Sequence, residues 1–256
     1  MLLLFIILLS FILISVGLAW YLIADDRGEK EPIGALWGAL VFGFVGGIVA
    51  AVIEHAVISP NDIGPTAITK SIFVASMIVG IVEEACKFIP LSVFLYPKHY
   101  FNEHTDGIIY FALAGLGFGL PENILYTIQF GSTTGFRRIL LTPFFHAAIT
   151  GMVGFFLIRA KLGKRSLISV ISVLILAMII HGLYDFGLAS GTQVYAIMSI
   201  TITLALSVVL FLLYTRATDL DQQLGKSIVG KNNYCRSCGQ PNPQHHLYCV
   251  HCGQRA

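Results

Sequence analysis

Seven apolar runs, each reaching the ~20 residues that a bilayer's hydrocarbon core demands, occupy most of this 256-residue chain. They cover roughly 1–24, 33–58, 67–96, 108–130, 139–160, 167–189 and 192–214. In lipid every backbone N–H and C=O must be satisfied internally, so runs of this length are helices. The predicted fold class is therefore all-α, a polytopic helical bundle. Composition agrees: 56% hydrophobic residues, 12% charged and a mean hydropathy of +0.79 are far too apolar for a soluble domain. A net charge of +2 gives no surface for a polyanion, which argues against nucleic acid as a partner. Met1–Ala24 has neither a basic leader nor a small-residue cleavage site, and reads as a retained first span.

Basic residues set an expected orientation. With the N-terminus outside, the inner loops and tail carry Arg27, Lys30, Lys98, Arg159, Lys161, Lys164, Arg165, Arg216, Lys226 and Lys231. The outer side then has Lys70, Arg137 and Arg138. The positive-inside rule favours seven spans in a cell membrane, N-out and C-in. Glu54 lies near a span end, where solvation is expected to cost little. Near Thr215 the composition changes. Residues 1–214 form the membrane domain, 215–234 a polar linker and 235–256 a compact cysteine module.

That module reads Cys235-x-x-Cys238-Gly, then Cys249-x-x-Cys252-Gly. Two C-x-x-C knuckles, each followed by glycine, are the ligand pattern of a tetrahedral zinc ribbon. Disulfides are the competing reading, disfavoured by the expected cytosolic placement. A ribbon this small suits a cytosolic protein partner or serves to hold the tail.

Ionisable residues inside the apolar runs carry the functional signal. Glu83, Glu84 and Lys87 share the third run; Glu122 lies in the fourth, His146 in the fifth, and His181 and Asp185 in the sixth. Each charge at a bilayer centre costs about 2.5–3.5 kcal/mol on insertion scales, so these groups are expected to face one another, water or an ion. On a helix Lys87 is one turn from both Glu83 and Glu84, and can neutralise one while the other points into the bundle. Tyr126, one turn beyond Glu122, is placed to donate to it. Asp185, one turn beyond His181, can orient that imidazole. The stretch holding Gly115, Gly117, Gly119 and Pro121 is predicted to be the least regular span.

Two chemistries fit these residues: a metal held by His146, His181 and Glu122 that activates water, or metal-free activation of water by a carboxylate and an imidazole. Buried Glu, His and Lys also suit a proton- or cation-coupled transporter, and a non-catalytic membrane scaffold presenting the ribbon is the third reading.

Glu83-Glu84-x-x-Lys87, Phe118-x-x-x-Glu122 with Tyr126, Thr142-x-x-x-His146-Ala147 and His181-x-x-x-Asp185, in that order, resemble the PrsW family of intramembrane proteases. The Asp26-to-Pro32 stretch is also similar to that family, so the resemblance spans roughly residues 20–190. It implies peptide-bond hydrolysis in or beside the membrane, on a membrane-anchored protein substrate, with a multi-helix core. It implies catalytic roles for Glu83, Glu84, Glu122, His146, His181 and Asp185. Glu83 or Glu84 is expected to activate water, with the two histidines binding metal or stabilising the oxyanion. The related CAAX endopeptidases carry a histidine where this chain has Glu122, which leaves His146 to supply that imidazole. The ribbon is an addition the family core does not explain.

Overall fold

A computed structural model describes residues 2–24, 26, 30–59, 69–228 and 248–254. Among them are seven long helices: α1 (Leu2–Ala24), α2 (Ile33–Val57), α3 (Thr69–Leu95), α4 (His104–Phe130), α5 (Ser132–Lys161), α6 (Leu167–Ala189) and α7 (Gln193–Ile228). Six are long and apolar enough to cross a membrane. The exception is α3, whose Lys70, Glu83, Glu84 and Lys87 dilute its apolar character. Its length matches its neighbours, so it is the span whose polar groups must be sheltered by the others.

The sheltering follows from the layering. α4 and α5 form the centre, packed against each other more extensively than any other pair, and 83% of the span-forming window of each is buried. α1 lies at the periphery with 11% buried. α2 lies against α4 on one side, and α3 packs chiefly on α6. Between apolar helices in lipid there is no hydrophobic drive to associate, so contact depends on small residues that let backbones approach. α4 uses this device twice. A Cβ at Gly107 would fall on the backbone of Gly154 in α5, and one at Gly115 would lie 2.6 Å from the carbonyl carbon of His146. Gly80 on α3 and Gly182 on α6 make the matching approach, since a Cβ at Gly80 would lie 2.6 Å from the Gly182 backbone nitrogen.

Two expectations are corrected. The glycine-rich stretch is not irregular: α4 runs unbroken from His104 to Phe130, through Pro121, because its glycines serve close packing rather than unwinding. The span expected to end at 214, followed by a polar linker, instead continues as helix to Ile228. That extension is held by Asp221, which accepts hydrogen bonds from the backbone N–H groups of His104 (2.8 Å) and Thr105 (2.9 Å). It also bonds His104 Nδ1 (2.6 Å) and the Thr105 hydroxyl (3.1 Å). The donors at the start of α4 are thus capped from two sides, by Asp221 and by the Glu103–Asp106 capping box.

In the second span, Gly43 and Gly47 pack closely on α4, at Ala114 and at Phe118 and Pro121. Of the cysteine module, only the second knuckle falls within the described residues; Cys235 and Cys238 lie outside them. There the His251 N–H points at Cys249 Sγ (3.4 Å), and Gly253 sits at φ +67, in the left-handed region that favours glycine.

Candidate active site

Four helices bring their ionisable residues to one place in the interior. α3 supplies Glu83, Glu84 and Lys87; α4 supplies Glu122; α5 supplies His146; α6 supplies His181 and Asp185. All are buried, His146 and His181 completely. Internal prolines sit close by on three of these helices: Pro90, Pro121 and Pro143. Each removes one backbone hydrogen bond near a site residue, a cost tolerated where neighbouring helices enclose the gap.

The two imidazoles are each fixed by a carboxylate. His181 Nδ1 bonds Glu84 Oε1 at 2.7 Å, and His146 Nε2 bonds Glu122 Oε2 at 2.6 Å. A neutral imidazole has one donor and one acceptor nitrogen. Donation by His181 Nδ1 leaves the lone pair on Nε2, and donation by His146 Nε2 leaves it on Nδ1.

The His181 Nε2 lone pair lies 3.3 Å from both Glu83 Oε2 and Asp185 Oδ2, without hydrogen-bond alignment to either. Lone-pair-bearing atoms facing one another in a buried site repel unless a proton or a cation lies among them. Glu83, His146 and His181 each offer a ligand atom, all within 4.8 Å of one another. A carboxylate and two imidazoles, each imidazole held by an outer carboxylate, is the donor chemistry of a catalytic divalent-metal centre. The residues fit such an ion.

Lys87 lies at the same centre. Its ammonium donates to Glu84 Oε1 (2.8 Å) and Glu83 Oε2 (3.2 Å), and lies 3.0 Å from His146 Nδ1 and 4.1 Å from the centroid of the Phe118 ring. It bridges both glutamates, so the expected division into one paired and one unpaired carboxylate does not hold.

Three further expectations change. The expected metal set is His146, His181 and Glu122, whereas the ligand atoms that converge within 4.8 Å belong to Glu83, His146 and His181. Glu122 stands behind His146 as its orienting carboxylate. The hydrogen bond to His181 comes from Glu84, at 2.7 Å on Nδ1, while Asp185, expected in that place, lies 3.3 Å from Nε2. Tyr126 lies face-on to the Arg138 guanidinium, 4.0 Å from ring centroid to Cζ, and Glu122 takes its hydrogen bonds from Arg138 and His146.

Arg138 is the site residue that sequence reasoning misses. The charge pattern places it with Arg137 on the outer side, yet it is 4% exposed and paired with Glu122, with Nε also donating to Asn123 (3.2 Å). The available signal is its register: 138, 142 and 146 lie one turn apart on one face of α5, so Arg138 points where His146 points. Glu54, expected to be solvated at a span end, instead has a buried Oε1 that lacks a hydrogen-bond partner.

A sequence profile described as PrsW family intramembrane metalloprotease matches residues 31–215. The Protease PrsW of Bacillus subtilis (strain 168) is 32% identical over 188 residues, covering 70% of this chain and 84% of its own. The Protease PrsW of Geobacillus kaustophilus (strain HTA426) is 28% identical over 173 residues, covering 67% and 75% respectively. That of Clostridioides difficile (strain 630) is 27% identical over 187 residues, covering 70% and 77%. No solved structure gives a significant match.

Proposed function

Since this chain belongs to the PrsW family of intramembrane proteases, we propose that its peptide-bond hydrolysis takes place at the Glu83–His146–His181 cluster. Family membership sets aside the transporter and scaffold readings. The observation that carries the proposal is the convergence of those three ligand atoms within 4.8 Å in a buried site.

Glu83, His146 and His181 would hold the family's metal ion, which when bound supplies a Lewis acid for the scissile carbonyl and an activated water. Around them, Glu84 and Glu122 fix the imidazole tautomers by accepting the outer N–H of His181 and His146. Arg138 neutralises Glu122, so the outer carboxylate does its orienting work without an unpaired charge in the membrane. Asp185 Oδ2, buried, without a hydrogen-bond partner and 3.3 Å from His181 Nε2, is the oxygen left to take a proton from the attacking water. It would then return that proton to the leaving amine.

Replacement of Asp185 separates these roles. Asp185→Asn is expected to lower kcat by about 10²–10⁴-fold, the usual worth of a positioned proton acceptor, while divalent-metal binding by the protein is retained. Measuring cleavage of a single-span substrate alongside metal content checks this. Loss of metal together with activity would move Asp185 into the ligand set, and unchanged kcat would remove it from the mechanism.

The substrate class is a membrane-anchored protein, with lipid as the surrounding solvent. The N-terminus lies outside and the C-terminus in the cytoplasm. The excess of basic residues on the proposed inner side supports that orientation, and Lys161 Nζ, which donates to the Lys98 carbonyl (2.6 Å), puts the two inner loops on one side. Withdrawal of Arg138 into the interior also takes one positive charge from the outer count.

The tail binds one zinc through Cys235, Cys238, Cys249 and Cys252 and presents it to a cytosolic partner. Elemental analysis of the full chain should show one zinc lost on Cys249→Ser/Cys252→Ser substitution. Zinc content unaffected by those changes would reject the ribbon.

A further inference from the structure

Lys87 and a divalent cation cannot both use the donors that face them. The lone pair of His146 is confined to Nδ1, because Nε2 donates to Glu122 at 2.6 Å, and the Lys87 ammonium already occupies it at 3.0 Å. An imidazole nitrogen has a single in-plane lone pair, so accepting from an ammonium and ligating a metal are mutually exclusive. Glu83 is contested in the same way: the oxygen that faces His181 Nε2 at 3.3 Å is also 3.2 Å from Lys87 Nζ. Ligand bonds of about 2.0–2.2 Å to these atoms would put a doubly charged ion against the ammonium in a medium that screens little.

We propose that Lys87 is a built-in competitor for the metal centre, and that uptake of a divalent cation requires its ammonium to withdraw from Glu83 and His146 while remaining on Glu84. The fallback is already in place. Glu84 Oε1, outside the three-ligand group, is the nearest of the ammonium's partners at 2.8 Å, and the Phe118 face lies 4.1 Å away. A charged lysine thus retains a counter-ion and an aromatic face when it leaves the other two. The cluster has two states, lysine-filled and metal-filled, and the first keeps the glutamates neutralised in the membrane when metal is scarce. Metal affinity is then set by the lysine as well as by the ligands.

The inference rests on the protease reading only for the identity of the three ligands. Its test needs no substrate, so it can fail while cleavage stands, and cleavage can fail while it stands. Mn2+ is titrated into the detergent-solubilised full chain, with the loss of the free-ion signal followed by electron paramagnetic resonance. Mn2+ prefers carboxylate and imidazole to the thiolates of the tail, so it reports on the core. Lys87→Met, which keeps chain length and removes the charge, is expected to tighten Mn2+ binding by about tenfold or more, within the range that residues around a metal centre exert. Adding His181→Gln should abolish that gain. If Lys87→Met does not yield monodisperse protein, Phe118→Leu, which removes the ring from the ammonium's fallback position, should weaken Mn2+ binding instead. Affinity unchanged or weakened in Lys87→Met, or unchanged in Phe118→Leu, overturns the proposal.

Discussion

Glu83→Gln is expected to reduce kcat/KM for a single-span substrate by about 10³-fold or more, with the protein remaining monodisperse. Glu83 is the residue on which the cluster converges: its Oε2 faces His181 Nε2 at 3.3 Å and Lys87 at 3.2 Å, and it is the one carboxylate in the three-ligand group. An amide keeps the shape but loses the charge that balances the ammonium and, in the proposed centre, would hold a divalent ion. Removing a proposed ligand of this kind would sacrifice both metal binding and the activated water, so the expected loss exceeds that of a merely orienting residue, about 10–100-fold. Glu84→Gln should fall in that smaller range if its main service is to accept from His181 Nδ1. Equal, near-complete losses for both would show that Glu84 also handles the transferred proton.

Arg138→Met should cost about 3–5 kcal/mol of stability, the usual penalty for stranding one partner of a buried ion pair. Both groups are enclosed, Arg138 at 4% and Glu122 at 7% exposure, and the removed guanidinium bonds Glu122 directly and Asn123 through Nε. The single variant leaves a carboxylate in the interior with only a neutral imidazole to bond. The double variant Arg138→Met/Glu122→Gln removes both charges and is expected to recover most of the thermal stability. Its activity should stay low, because an amide in place of the Glu122 carboxylate would hold His146 without the negative charge. Thermal unfolding in detergent, paired with cleavage assays, separates the two effects. A double variant as unstable as the single one would show that Arg138 acts through packing.

Much of this site is legible in the sequence for a physical reason. Lipid makes each buried charge expensive, so Glu83, Glu84, Lys87, Glu122, His146, His181 and Asp185 stand out from their apolar surroundings. Helix lengths are legible too, because hydrocarbon thickness fixes them; observed and expected ends of α2 and α6 agree closely. What is not legible is pairing across helices. Lys87 reaches Glu83 and Glu84 along its own helix, as spacing indicates, but its contact with His146 spans 59 positions and depends on how α3 leans on α5. Arg138 is masked by its neighbour Arg137 and by the habit of assigning span-end charges to loops, although its one-turn spacing to His146 is visible. The run-on of α7 past residue 214 is masked because a polar helix has the composition of a linker; its Asp221 contacts reveal that it is anchored.

The cleanest test asks whether Glu83, His146 and His181 form one hydrolytic centre. Purified protein is reconstituted with a single-span substrate, and cleavage is followed for Glu83→Gln, His146→Gln, His181→Gln and the triple variant. Residues that act as a unit lose their effect together, so the triple variant should be no slower than the slowest single variant. Losses that multiply across the three positions, or cleavage that persists in the folded triple variant, would contradict a shared site.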